Sequence, residues 1–410
     1  MHRPMEGVRI LEVAQFTFVP AAGAVLADWG AEVIKVEHAV TGDAQRGLVK
    51  VLGLDAAAPG VNFFPIMQGP NRGKKSIGIA LETPEGRALL DELIAQSDVF
   101  VTNFLPGPRS RLKIDVEDIR KTNPDIIYVR GSGFGNKGPE REKGGYDSTG
   151  FWARGGSLAG LVAQGAPDTL NMPTGAYGDS MGGMTIAGGI AAALYARKTT
   201  GETSVLDVSL LSVGAWATQY GSNLANIIGG PLPLPPVQKY GSPTNPLTGT
   251  YRTSDDRLIM LTMLQPGRYW SEFVKNAGRP ELAVDPRFDS AEHIMTNAIE
   301  GGEIVAEIIR SKSYAEWLEI LGKGEGQWAA VQDFWEVSQD VSLRANGYIA
   351  KVLDIDGNER ELVANPVQFD ETPAELTRAP EFAEHTDEIV LGLGKTEEEL
   401  IALKIAGAIT

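Results

Sequence analysis

Over its first 210 residues the chain alternates between two hydrophobic periods. Short, nearly continuous apolar runs ("VRILEVA", "EVIKVE", "KSIGIAL", "VFVTNF", "DIIYVRGSG", "SVLDVSLL") are separated by stretches with apolar residues every three or four positions, such as "AAGAVLADWG" and "DVEDIRKTNP". A strand that is apolar on both faces has to be covered on both faces, and connections of helical period supply that cover. The pattern predicts an α/β fold with a mostly parallel sheet and helices on each side. "TPEGRALLDELIAQSD" carries the signals of a helix start, with Thr83 as N-cap, Pro84 in the first position and Glu85 in the first turn. A long helix is expected from about Ser180 to Lys198.

The pattern then changes. Residues 1–210 read as a large unit and 211–224 as a linker; residues 225–325 form a smaller α+β unit, and 326–410 follow as a carboxyl-terminal segment. The proline-rich "PLPLPPVQKYGSPTNP" reads as an irregular crossing segment. After it, "GTYRTSDDRLIMLTM" predicts a hairpin turning at Ser254-Asp255-Asp256. "GRYWSEFVKNAG", "NAIEGGEIVAEIIRS" and "SYAEWLEILGK" predict helices. "NPVQFDETPA" is expected as a strand, followed by a loop and then two amphipathic helices in "EHTDEIVLGLGKTEEELIALKIAGAI".

Several chemistries are excluded early. The net charge of −16 argues against nucleic-acid or anionic-membrane binding, although one local basic pocket still suffices for an anionic ligand. With no cysteine there is no thiolate nucleophile and no Cys-ligated zinc. His2, His38, His293 and His385 have no metal-ligand spacing, and no G-x-S-x-G elbow is present. The amino-terminal stretch lacks a signal-peptide pattern and no apolar run reaches membrane-spanning length, so a cytoplasmic protein is expected.

Three constellations remain. "GFGNKG" at 133–138 has dinucleotide-site spacing, but polar, glycine-rich sequence follows where a helix is required, so its glycines read as loop residues. "NRGKKS" and "NFLPGPRSRL" flank strands, and in a parallel sheet they are expected at one edge, offering Lys74, Lys75, Arg109 and Arg111 to phosphates. "GAYGDSMGGM" sets Asp179 at the mouth of the long helix, with no Lys or Arg within ten residues. There it reads as an N-cap, kept ionised by the helix dipole, or as a nucleophile. Gly178, Gly182 and Gly183 leave space beside it, and their backbone N–H groups are candidate oxyanion donors.

Taken together, "LEVAQFTFVPAAGAVLADWGAEVIKVE", "NRGKKSIGIAL", "NFLPGP", "GSGFGNKGP", "GGYDSTGFWARGG", "GDSMGGM", "NPLTGTYRTSDD" and "EHTDEI" resemble the class III CoA-transferases in order along nearly the whole chain. The resemblance implies a Rossmann-like large domain built from residues 1–210 with the returning segment 326–410 packed on it, an interlocked homodimer, and a metal-free transfer of coenzyme A from an acyl-CoA donor to a carboxylic acid acceptor. In the family the Asp of the G-D motif is the nucleophile, which assigns that role to Asp179. Lys75, Asn103, Phe104 and Arg111 stand where the family contacts the nucleotide. Thr17, His38, Lys74 and Tyr146 complete the implied binding set. The related α-methylacyl-CoA racemases use a "GHD" triplet; here it is "GYD", with Tyr146 in the histidine position, so Tyr146 is expected to shape the acyl pocket. A racemase-type isomerase and an inactive CoA-binding protein are the alternatives.

Overall fold

A computed structural model describes residues 3–51, 53–56, 59–162, 172–233 and 240–410. Six strands build one sheet: β1 (Arg9–Val13), β2 (Glu32–His38), β3 (Lys75–Ile79), β4 (Val99–Thr102), β5 (Ile127–Ser132) and β6 (Val205–Ser209). Their order across the sheet is β3-β2-β1-β4-β5-β6, and every neighbouring pair is parallel. The order reverses between β1 and β4, which is where an open α/β sheet leaves a crevice beyond the carboxyl ends of its strands.

Residue alternation in β1 explains the two cores. Ile10 faces a layer with Val33, Val99 and Ile127, covered by helices α1 (Phe18–Asp28) and α5 (Tyr177–Thr200). Leu11 and Val13 face the opposite layer with Ile34 and Ile77, under α2 (Pro84–Ala95) and the two carboxyl-terminal helices Thr386–Gly392 and Glu397–Ile405. The start of α2 follows its sequence signals, since Thr83 Oγ1 accepts the Gly86 N–H at 3.0 Å. Two short helices follow β4: α3 (Pro106–Leu112) and α4 (Val116–Thr122).

The glycines of α5 serve packing. A Cβ at Gly182 would lie 2.2 Å from Phe18 Cε2, and one at Gly183 would lie 2.5 Å from Ala21 Cβ. Their absence lets α1 and α5 close onto each other. The space expected beside Asp179 is therefore filled by α1 at both positions.

Among the described residues, those up to 162 together with 172–233 and 341–410 form one compact unit, and 240–340 form a second. The second has a three-stranded antiparallel sheet, Trp328–Ala330, Leu258–Thr262 and Thr248–Arg252 in spatial order. Helices Pro266–Asn276, Ala298–Arg310 and Tyr314–Leu321 contribute Trp270, Val305 and Trp317 to its core.

Two expectations are corrected. Segment 211–224 is not a linker: it folds as α6 (Leu210–Ala217) and the helix Gln219–Ile228, the first opened by a reciprocal Ser209–Ser212 capping box. No proline interrupts the sequence there before Pro231, so nothing stops the helices forming. The stretch around Phe369 holds an isolated bridge to Thr372 instead of a strand. The strands lie earlier, in an antiparallel hairpin of Ile349–Leu353 and Glu359–Val363. Residues 234–239 of the proline-rich stretch lie outside the described residues.

Candidate active site

A cavity of about 350 Å³ opens at the carboxyl ends of β1, β2 and β3. Gln15, His38, Ile79 and Leu81 line it from the ends of these strands, and Phe104 and Arg111 line it from the segment after β4. The His38 ring is fixed in one orientation. Its Nδ1 accepts the N–H groups of Val40 and Thr41, each at 3.2 Å, which leaves the proton on Nε2, 3.2 Å from Glu82. Arg111 is exposed and has no ion-pair partner among the described residues. The cavity thus combines apolar walls, a stackable ring and a free guanidinium, a combination suited to a nucleotide with phosphates.

The other basic residues lie elsewhere. In a parallel sheet, a loop before a strand and a loop after one open at opposite edges, so the two basic stretches do not share the edge expected of them. Lys74 Nζ is wholly buried, 2.7 Å from Glu12 Oε2 and 2.8 Å from Pro20 O. Burial pushes it down to about 8 even with Glu12 beside it. Lys75 opens β3 and pairs with Glu388 at 2.8 Å and Glu32 at 3.4 Å. It stands four residues, roughly 13 Å, before the cavity-lining Ile79. Arg109 is buried inside α3 and holds Asp115 at 2.7 Å and Phe104 O at 2.9 Å.

Asn103 and Thr17 are engaged with the protein itself. The Asn103 amide bonds both backbone groups of Gln15, accepting from its N–H at 3.0 Å and donating to its C=O at 2.6 Å. Buried Thr17 donates to Gln45 Oε1 at 3.0 Å. Tyr146 is 62% exposed and meets the Phe16 ring edge-on at 5.5 Å between centroids.

Asp179 is the third residue of α5, and it is not the cap. The N-cap is Ala176, in the left-handed region at φ 59° with no side-chain cap bond. The half-buried Asp179 carboxylate has no hydrogen-bond or ion-pair partner among the described residues. Burial, then the nearby Asp147 charge, push it up to about 7, so it is not the firmly ionised group expected at a helix terminus. A Cβ on Gly178 would fall 2.4 Å from Asp147 Oδ1 and 2.2 Å from Phe151 Cγ, so glycine is needed there to admit both side chains. Asp147 receives Trp152 Nε1 at 3.2 Å and turns its other oxygen toward the N–H groups of Tyr177, Gly178 and Asp179 without closing a short bond. Burial raises Asp147, and those N–H groups partly offset the effect.

The structure therefore gathers His38, Phe104 and Arg111 around the cavity. Asp179 lies at the same sheet edge: one turn on, Gly182 seats on Phe18, and Phe18 follows the cavity residue Gln15 by three positions. Asp147 was the residue that sequence reasoning missed. It stands in the quoted "GGYD", but nothing local says that it folds back on residues 177–179.

The family model described as CoA-transferase family III matches residues 5–386. The chain is 30% identical to (R)-2-hydroxy-4-methylpentanoate CoA-transferase of Clostridioides difficile, over 97% of each chain. It is also 30% identical to cinnamoyl-CoA:phenyllactate CoA-transferase of Clostridium sporogenes, over 97% of this chain and 95% of that one. Among solved structures, a CAIB/BAIF family protein from Brucella suis superposes with a TM-score of 0.81 at 25% identity, over 96% of this chain and all of the other. By both sequence and fold, the chain belongs to CoA-transferase family III.

Proposed function

We propose that the protein transfers coenzyme A from an acyl-CoA to a carboxylic acid, with Asp179 as the nucleophile. The observation that carries this reading is the Asp179 carboxylate itself. It sits at the carboxyl edge of a Rossmann-ordered sheet, unengaged by any described hydrogen bond or ion pair, with its charge left uncompensated.

An Asp179 oxygen attacks the thioester carbonyl, the C–S bond breaks, and CoA leaves as thiolate from an acyl-aspartyl anhydride. The thiolate then attacks the Asp179 carbonyl carbon and the donor acid departs, leaving an aspartyl-CoA thioester. The acceptor carboxylate repeats both steps in reverse, which regenerates Asp179 and releases the new acyl-CoA. No proton is removed from carbon. Consistent with that, His38 is engaged with Glu82, His293 with Asp289 and His385 with Ser76; among the described histidines none bonds Asp147 or Asp179. The cavity receives the nucleotide, with Phe104 beside the base and Arg111 on the phosphates. Trp216, Tyr220 and Ile227, at 72%, 83% and 83% exposure, leave apolar surface that fits a homodimer.

The test is a panel of acyl-CoA donors and acids read by mass spectrometry of the CoA products. Hydroxylamine added with a competent donor should leave a hydroxamate on the peptide that contains Asp179. Exchange without modification of that peptide would remove Asp179 as the nucleophile.

A further inference from the structure

The turn Ala14–Thr17, which carries the chain from β1 into α1, is gripped at every residue by a side chain from elsewhere. Lys35 Nζ donates to Ala14 O at 2.9 Å, and the Asn103 amide bonds Gln15 on both sides. Asp43 Oδ1 accepts the Phe16 N–H at 3.1 Å, and Gln45 accepts from Thr17 Oγ1. Behind this grip stands a chain of fully buried charges. Asp43 pairs with Lys35 at 2.8 Å, Lys35 with Glu12 at 3.3 Å, and Glu12 with Lys74 at 2.7 Å. Glu37 ties in from the side, accepting the Asp43 N–H at 2.8 Å while paired with Arg46. So many buried charges are costly to assemble, and two of them, Lys35 and Asp43, bond the turn itself.

The turn needs such a grip. Phe16 has φ 64°, a left-handed conformation that a bulky side chain avoids. What it sets is functional in position: Gln15 in the cavity wall, Phe16 against Tyr146, and Phe18 under Gly182, one turn from Asp179.

We propose that Asp43 and Asn103 are positioning residues which hold Phe16 left-handed and so fix the nucleotide cavity relative to Asp179. The proposal rests on the CoA-transfer reading. Neither residue touches the reacting atoms.

A double-mutant cycle tests it. Glycine adopts positive φ freely, so in a Phe16→Gly background the turn no longer depends on its clamp. Asp43→Asn and Asn103→Ala alone should each lower kcat/KM at least tenfold. In the Phe16→Gly background the same substitutions should cost less than threefold. Asn103→Ala leaves every buried ion pair intact, so it stays informative if Asp43→Asn fails to fold. Losses that multiply fully in both cycles would overturn the proposal, as would single variants that match the parent. CoA affinity by calorimetry is read in the same cycles. A parent that binds CoA but exchanges it with no acid refutes the proposed function, and the clamp is then judged by the same non-additivity in Kd. A parent that neither binds nor exchanges CoA overturns both.

Discussion

Asp147 opposes the ionisation of Asp179: its carboxylate is buried against the first turn of α5, and its like charge joins the larger effect of burial in pushing Asp179 up to about 7. A nucleophile must be ionised to attack. The kcat/KM profile should therefore rise with pH through a limiting value near 7 and level above it. Asp147→Asn removes the like charge but leaves the burial, so the rising limb should move to lower pH without reaching the ordinary carboxylate range. A profile flat from pH 5 to 9 in the parent would detach Asp179 from the rate.

The same shift has a consequence for stability, and its sign is opposite to that of a salt-bridged acid. Asp179 holds its proton to about 7 when folded, against an ordinary value of 3.8. Its contribution is fully present below pH 4 and is lost as pH rises through about 7. Asp179→Asn should abolish exchange yet raise stability at pH 8 by on the order of 1–2 kcal/mol, with no gain at pH 4. Holding the proton from 3.8 up to about 7 represents roughly 4 kcal/mol, and solvent screening of a part-exposed group removes much of it. Because Ala176 is the N-cap, Asp179→Ala should not show the loss of about 1 kcal/mol that removing a cap brings. Urea titrations at the two pH values decide both points.

Helix α5 offers a paired test of how its glycines work. Ala is favoured over Gly in a helix by roughly 1 kcal/mol where nothing obstructs the methyl. Gly188 is exposed, and among the described residues nothing outside its own stretch of helix lies within 4 Å of the place an alanine methyl would take, so Gly188→Ala should gain about 0.5–1 kcal/mol. At Gly182 the added methyl would meet Phe18 at 2.2 Å, and overpacking of about 1–3 kcal/mol should win. Opposite signs in denaturant melts would confirm the reading, whereas two gains would show that the α1–α5 contact yields easily.

Much of the fold was legible because period and punctuation agree. Each of the six sheet strands was visible as an apolar run, and α2 as a capped amphipathic segment. The hairpin at 349–363 was not: its strands have exposed Lys351, Glu359 and Glu361, so no continuous apolar run announces it. At the site, the G-D motif marked Asp179, but local sequence cannot report a partner folded back from 32 positions earlier. That is why Asp147 was overlooked and capping was assigned to the wrong residue. The surroundings of the two lysines were illegible for another reason. "KK" looks like a solvated anion site, yet Lys74, just before β3, runs into a buried Glu12 while Lys75, the first residue of β3, turns toward Glu32 and Glu388.

That last distinction gives the sharpest test of where coenzyme A binds. Arg111 lines the cavity, is exposed and lacks an ion-pair partner among the described residues, so it is ready to meet a phosphate. A charged hydrogen bond of this kind contributes roughly 1.5–3 kcal/mol, so Arg111→Ala should weaken CoA by at least tenfold. Lys75 is already paired twice and stands well before the cavity along its strand. Lys75→Ala should leave the CoA Kd within about twofold, with only the small stability cost of an exposed ion pair. Lys74→Ala should act differently from both, because it leaves buried Glu12 with Lys35 alone and should cost about 3–5 kcal/mol of stability. Calorimetry with CoA on the three variants, alongside their denaturant midpoints, separates the cases. If Lys75→Ala loses affinity and Arg111→Ala keeps it, the nucleotide does not lie in the cavity at the carboxyl ends of β1, β2 and β3.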